Sequence, residues 1–281
     1  MQDILTRLRR SLAHIESDQL GPPAVARFGF GHAALDAAVG GGLPRAALHE
    51  VFAHEAGDGA AAAGFGLAMA LCMARAAEPE DGRGLAAGGA ARPARAAAPG
   101  RTTVWVQQAM AGREHGALYP PGLAAFGADP ERLVLVAVRD ATGALRAAHE
   151  ALRCAALAAV VLELWGPARA LDLTASRRLA AAAAKSGVGC VLVRSGAAPE
   201  PSAGLSRWGV AAGPSIRLGA NAPGRPAFEI ELQRHRAGFP PGRFSLEWDH
   251  DELVFRQPAL PRPVVSLPLH RPAAAPRRHA G

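Results

Sequence analysis

The sequence predicts an α/β protein whose mainly parallel sheet is flanked by helices, and three observations lead there. Four strand-length runs, "TTVWVQ" (102–107), "RLVLVAV" (132–138), "AAVVLEL" (158–164) and "VGCVLVR" (188–194), are apolar almost throughout. Strands with no polar face belong in a sheet covered on both sides. The chain between them reads as helical crossovers, "GALRAAHEALRCA" and "LTASRRLAAAAAKSG" among them, which is the signature of parallel pairing. After Gly196 the pattern changes. "AFEIELQRHR", "RFSLEW" and "ELVFR" alternate apolar and polar residues across short turns, as C-terminal antiparallel strands with one wet face do.

Taken in order, residues 1–20 place Ile4, Leu5, Leu8, Leu12 and Ile15 on one stripe of a short N-terminal amphipathic helix, which Gly21-Pro22-Pro23 breaks. Residues 24–257 form the compact domain. It opens with "FGHAALDAAVGGGLPRAALHEVF": a helix, a triple-glycine turn, Leu43-Pro44 and a strand. A glycine-bearing turn (Glu55 to Gly59) and a long small-residue helix (Ala60 to Arg75) follow. Residues 76–100 are Ala/Gly/Pro/Arg-rich without apolar periodicity and read as a flexible insertion. Between "TTVWVQ" and "RLVLVAV" the reading is an irregular loop and a short helix near Gly122 to Phe126. Residues 258–281 form a Pro/Arg-rich tail too poor in core-forming residues to fold alone, so disorder is expected there. Its apolar island, Val264 to Leu269, is a candidate docking peptide.

Bulk properties bound the function. With 49% hydrophobic and 20% charged residues, 281 residues suffice for one large globular domain. The net charge is +7, of which four arginines in the acid-free tail supply +4. The body is thus close to balance, which gives little support for a general nucleic-acid binder. Lys185 is the sole lysine against thirty arginines. Cys72, Cys154 and Cys190 lie in apolar runs with no CxxC spacing, so buried reduced thiols are expected rather than a metal site. Met1 to Ser11 mixes charged and apolar residues, unlike a signal peptide. The apolar run Ala60 to Ala77 is Ala/Gly-rich and broken by Arg75, as a buried helix would be. A cytoplasmic protein without membrane contact is the expectation.

The strand–turn–helix at residues 48–75 has the outline of a phosphate-binding loop. Such loops cradle phosphates on backbone N–H groups, reach them with a lysine and hold Mg²⁺ through a Ser or Thr hydroxyl. If Ala53 to Ala60 is aligned with G-x-x-x-x-G-K-T, Gly59 falls at the lysine and Ala60 at the hydroxyl. A one-residue slip puts Ala60 and Ala61 there instead. Both alignments lack the cation and the hydroxyl. Glu55, Gly57, Asp58, Gly59 and Ala60 are therefore a degenerate nucleotide loop, and the Asp58 carboxylate would repel phosphate. The water-activating glutamate expected after the next strand is replaced by Gln107, Gln108 and Ala109. Glu163 stands where a Mg²⁺-linked aspartate would be.

These segments resemble the RecA class of ATPase cores, and the lead-in "ALDAAVGGGLPRAALHEVF" resembles its approach to the loop strand. The dead loop, "SRWGVAAGPS" (206–215) and "ELQRHRAGFPPGRFSLEW" (231–248), in that order, resemble the ImuA family of RecA-like SOS accessory proteins across about residues 24–257. That resemblance implies a RecA-like core, no cofactor and no catalysis. It implies a non-catalytic adaptor of a damage-inducible translesion DNA synthesis assembly, partnered by the polymerase-like ImuB and an error-prone DNA polymerase. RecA is a further candidate neighbour. Leu5, Leu8 and Leu12 are the candidate partner-binding face. Two alternatives stand beside this reading: a divergent DNA-dependent ATPase in which an arginine replaces the loop lysine, and a SulA-like cell-division inhibitor.

Arg234, Arg236 and Arg243 surround a turn with Phe239 and Phe244, a candidate weak DNA contact through phosphate attraction and base stacking. The competing expectation is a solvated hairpin rim with both rings turned inward. The 196–206 loop, placed where RecA carries a DNA-contacting loop, holds no charge except Glu200.

Overall fold

A computed structural model describes residues 26–77, 101–216, 222 and 224–258. The N-terminal stripe (Leu5, Leu8, Leu12), nearly all of the 76–100 insertion and the tail island at 264–269 lie outside them.

The chain begins with a two-stranded antiparallel ribbon, β1 (Arg27–Phe28) and β2 (Leu43–Pro44), closed around helix α1 (Ala33–Ala38). Asp36 of α1 accepts hydrogen bonds from the backbone N–H groups of Phe30 (2.7 Å) and Gly31 (3.1 Å). Gly40, Gly41 and Gly42 all adopt positive φ, the conformation that the triple-glycine turn is there to supply. Arg27 donates from Nη2 to the carbonyls of Val39, Gly40 and Gly42, satisfying groups that the helix end leaves open.

The remaining strands form one nine-stranded sheet. In chain order they are β3 (Leu48–Ala53), β4 (Thr103–Gln108), β5 (Leu133–Val138), β6 (Ala159–Trp165), β7 (Gly189–Ser195), β8 (Ser206–Ala212), β9 (Ala227–His235), β10 (Gly242–Asp249) and β11 (Val254–Arg256). In space they run β11-β10-β9-β8-β3-β7-β6-β4-β5. The six strands from β8 to β5 are mutually parallel, and β9, β10 and β11 extend the sheet antiparallel. The fold is the expected α/β architecture: a mainly parallel sheet flanked by helices, with antiparallel C-terminal strands.

Helix α2 (Gly59–Ala76) covers one face. Its many alanines and glycines let it lie close: a β-carbon at Gly66 would stand 2.7 Å from Val193 Cγ2. Phe65, Met69 and Met73 pack there with Phe28, Phe30, Trp208, Phe228, Trp248 and Phe255, all 3% exposed or less. Full burial of such side chains contributes about 1.5–3 kcal/mol each. The segment Ala56–Ala76 is long and apolar enough to cross a membrane, but 56% of its most apolar window is buried inside the protein, as for a core helix.

Helices α5 (Ala141–Leu152) and α6 (Leu173–Ser186) cover the other face. Each starts on an aspartate cap, Asp140 accepting from Gly143 N at 2.8 Å and Asp172 from Ala175 N at 2.7 Å. The α6 cap is therefore the residue just before the run "LTASRRLAAAAAKSG".

Three expectations need correction. The stretch after "TTVWVQ" is not irregular, since α3 (Ala109–His115) precedes α4 (Pro120–Ala125) there. β5 is as apolar as its neighbours, but it is the edge strand, and Val134 and Leu135 are 48% and 43% exposed. Of the cysteines, Cys72 and Cys190 are buried, and burial pushes each thiol up to about 12. Cys154 is exposed, because α5 ends at Leu152 and the chain turns outward.

Candidate functional site

The degenerate loop sits between β3 and α2, where a phosphate loop would be. Residues Ala56–Asp58 form a single 3₁₀ turn leading directly into α2 at Gly59. Asp58 turns its carboxylate back into the loop. Oδ2 accepts from the backbone N–H of Glu55 (3.1 Å), and Oδ1 accepts from the N–H of Ala212 at the end of β8 (3.0 Å). The loop thus carries its own anion, bound by backbone donors of the kind that would otherwise hold phosphate.

A second group fills the space beside α2. The imidazole of His115, at the end of α3, lies against Gly59 so closely that any β-carbon there would collide with the ring. This explains a glycine at a lysine-aligned position: a longer side chain has no room. The ring rests edge-on against Trp165, with centroids 4.9 Å apart, and its Nδ1 stands 3.5 Å from Glu163 Oε1. Nε2 is buried beside the start of α2 without a hydrogen-bond partner among the described residues.

Glu163 is engaged from the other side as well. It is 1% exposed, and its Oε2 accepts from Trp105 Nε1 (2.9 Å) and Gln107 Nε2 (3.0 Å). Gln107 and Glu163 face each other in the β4–β6 ladder. Gln108 Oε1 accepts from Trp165 N at 3.0 Å. Both glutamines that replace the water-activating glutamate are therefore bound within the sheet. Beside the loop lies an open depression of about 320 Å³ lined by Phe52, His54, Glu55, Pro199 and Gln233, among others, with no arginine or lysine in its lining. No group of three or more metal-ligating side chains occurs among the described residues.

The 196–206 loop is held in a different way. Glu50, an acid inside an apolar strand, is 2% exposed and accepts from Arg207 Nε (3.0 Å) and Arg234 Nη2 (3.3 Å). The two arginines also reach the loop. Arg207 donates to the Glu200 carbonyl and to Ser202 Oγ, and Arg234 donates to Ser202 Oγ (3.0 Å) and the Gly204 carbonyl (3.1 Å). Arg236 adds a bond to the Ala203 carbonyl at 3.5 Å, and Ser176 Oγ of α6 accepts from Ala203 N at 3.0 Å. Arg207 also lies over the Phe52 ring, 5.2 Å from its centroid. Burial lowers the pKa of Arg194 and Arg234 from the ordinary arginine value, and Glu50 partly offsets this for both.

The sequence placed Arg234, Arg236 and Arg243 together on one rim, whereas the structure gives them different surroundings. The β8–β9 register shifts between Arg207 and Trp208, so Arg234 faces Arg207 across the ladder and turns to Glu50. Arg236 is exposed but bonded to the 196–206 loop. Arg243 is the most open of the three, its side chain 80% exposed and 3.5 Å from Glu231. Phe239 and Phe244 both pack against the core. His115, Trp165, Glu50 and Arg207 are the residues that sequence reasoning missed. Only Glu50 left a signal, as a carboxylate within "LHEVF".

No protein-family model matches the sequence, and no curated protein matches it.

Proposed function

We propose that this chain is a non-catalytic adaptor with a RecA-like core, cytoplasmic, acting in a damage-inducible translesion DNA synthesis assembly through ImuB and an error-prone polymerase. The observation that carries the non-catalytic part is the His115 imidazole lying on Gly59. A triphosphate seated on this loop would meet that ring, the Asp58 carboxylate and, among the described residues, a depression lined by no arginine or lysine. Phosphoryl transfer depends on positive charge placed against the developing negative charge, and this site provides the opposite. Glu163, with Oε2 taken by Trp105 and Gln107 and Oε1 3.5 Å from His115 Nδ1, is already engaged on both sides and is poorly placed to serve a hydrated Mg²⁺. The partner assignment rests on the motif resemblance, and it makes the surface rather than the loop the working part.

The experiment pairs two measurements on the purified full chain. Immobilised protein is expected to retain ImuB, and its ATP hydrolysis is expected to equal the buffer blank. Micromolar, Mg²⁺-dependent ATP binding by equilibrium dialysis would defeat the non-catalytic part. Failure to retain ImuB or the polymerase would defeat the adaptor part.

A further inference from the structure

Among the described residues nothing pairs with the outer edge of β5, because β4 lies on one side only. Natural sheets blunt such edges with lysine, proline or a bulge. Leu133–Val138 reads Leu-Val-Leu-Val-Ala-Val and pairs with β4 in unbroken register, so it has none of these devices. Val134 and Leu135, which point to opposite faces of the sheet, are both more than 40% exposed. An added strand would satisfy the free backbone groups and cover both side chains.

The charges flanking the strand indicate what that added strand is. Glu131 and Arg139 are exposed and make no ion pair among the described residues. If a second β5 runs antiparallel about a two-fold axis at Leu135, Glu131, in the 3₁₀ turn Pro130–Arg132 that leads into the strand, comes to the same end of the pair as Arg139 just past the strand of the other copy. Opposite charges across a strand pair stabilise it. A one-residue slip one way would bring Arg132 to Arg139 and Glu131 to Asp140, like against like, and a slip the other way would bring Glu131 to Val138 and Arg139 to Pro130, losing the opposite-charge pair. A further slip would need Arg132 and Asp140, but Arg132 is paired with Asp129 and Asp140 caps α5. The chain's own apolar island is out of reach. β11 lies at the opposite edge of the nine-stranded sheet, eight spacings or roughly 38 Å away. The six residues from Pro258 to Val264 span at most about 22 Å.

We propose that β5 pairs antiparallel with β5 of a second copy of this chain, about a two-fold axis at Leu135, joining two sheets into one continuous sheet. Self-complementary pairing of this kind closes on itself as a dimer.

Light scattering on the full chain at tens of micromolar tests this. The expected mass is twice the 28.9 kDa of one chain. Leu135→Lys, which puts two ammonium groups at the axis, is expected to give monomer. Glu131→Arg and Arg139→Glu are each expected to shift the protein towards monomer, and the double variant is expected to restore the dimer. Both charge swaps are at exposed positions, so the test holds even if Leu135→Lys folds poorly. A monomeric wild type, a dimer indifferent to all three single variants, or a double variant no more dimeric than either single would overturn the proposal.

Discussion

Two loops near the loop-bearing strand are closed in opposite ways. The 54–59 loop is filled: one carboxylate of its own and one imidazole from α3 occupy the space, and few of the contacts are strong hydrogen bonds. The 196–206 loop is instead tied down. Arg207, Arg234 and Arg236 spend their donors on its carbonyls and Ser202, with buried Glu50 holding the first two in place. Filling a loop excludes a ligand at small energetic stake. Tying a loop with buried charge makes its 202–206 end part of the core, because removing any one partner strands the others. The two loops should therefore answer differently to acid and to mutation.

Acid should give the largest effect, and it should act on the tied side. His49 is fully buried, its Nδ1 2.8 Å from Ser206 Oγ and its Nε2 2.9 Å from the Pro44 carbonyl. His235 faces Ser206 across the β8–β9 ladder. Burial pushes both histidines down from 6.5 to about 4; at His49 the Pro44 hydrogen bond opposes the drop and His235 adds to it, and at His235 the Arg27 guanidinium adds to it. Between those values the unfolded chain binds protons that the folded chain refuses. The histidine contribution is therefore intact above pH 6.5 and is lost as pH falls towards 4, on the order of 3 kcal/mol for each. Asp249 follows at lower pH. Burial alone would raise its pKa, but hydrogen bonds from Arg256 and Arg225 outweigh this and hold it at about 2, so its contribution fades only between about 4 and 2. Urea midpoints measured from pH 7.5 to 4.5 should fall steeply. A flat profile would show that these imidazoles are not buried neutral.

Glu50→Ala is expected to be the next largest. It leaves Arg207 and Arg234 without their buried anion, at a cost of about 3–5 kcal/mol. Chemical denaturation at neutral pH measures it, and limited proteolysis should show new cleavage within 196–206. A loss below about 1 kcal/mol, the range of an exposed pair, would mean that the cluster is solvated and that the loops do not differ as described.

What the sequence made legible follows from which forces are local. Strands β4, β6 and β7 could be read because burial on both faces writes an unbroken apolar run. The same rule misplaced β5, since an apolar run does not distinguish a central strand from an edge strand whose partner is another molecule. Helix α3 escaped because "AMAGREH" has a central glycine and no apolar stripe. With it went His115, whose role depends on meeting Gly59 across 56 positions of chain, a contact that no spacing encodes. The missing lysine and hydroxyl were plain from residue identity alone. What replaced them was not. Asp58 was legible as a group that repels phosphate, but its second role, accepting from Ala212 on β8, needed the tertiary fold.

The smallest expected effect lies in the filled loop. Asp58→Ala removes the acceptor for Glu55 N and Ala212 N, both at the protein surface, where water can substitute. The loss should be about 1 kcal/mol, as for other helix-start carboxylates, or a few degrees in melting temperature by calorimetry. It should also leave the loop closed to nucleotide, because the His115 ring still lies on Gly59. Titration of Asp58→Ala with Mg-ATP is therefore expected to give no heat. If this variant binds while His115→Ala does not, the carboxylate rather than the imidazole is what closes the loop.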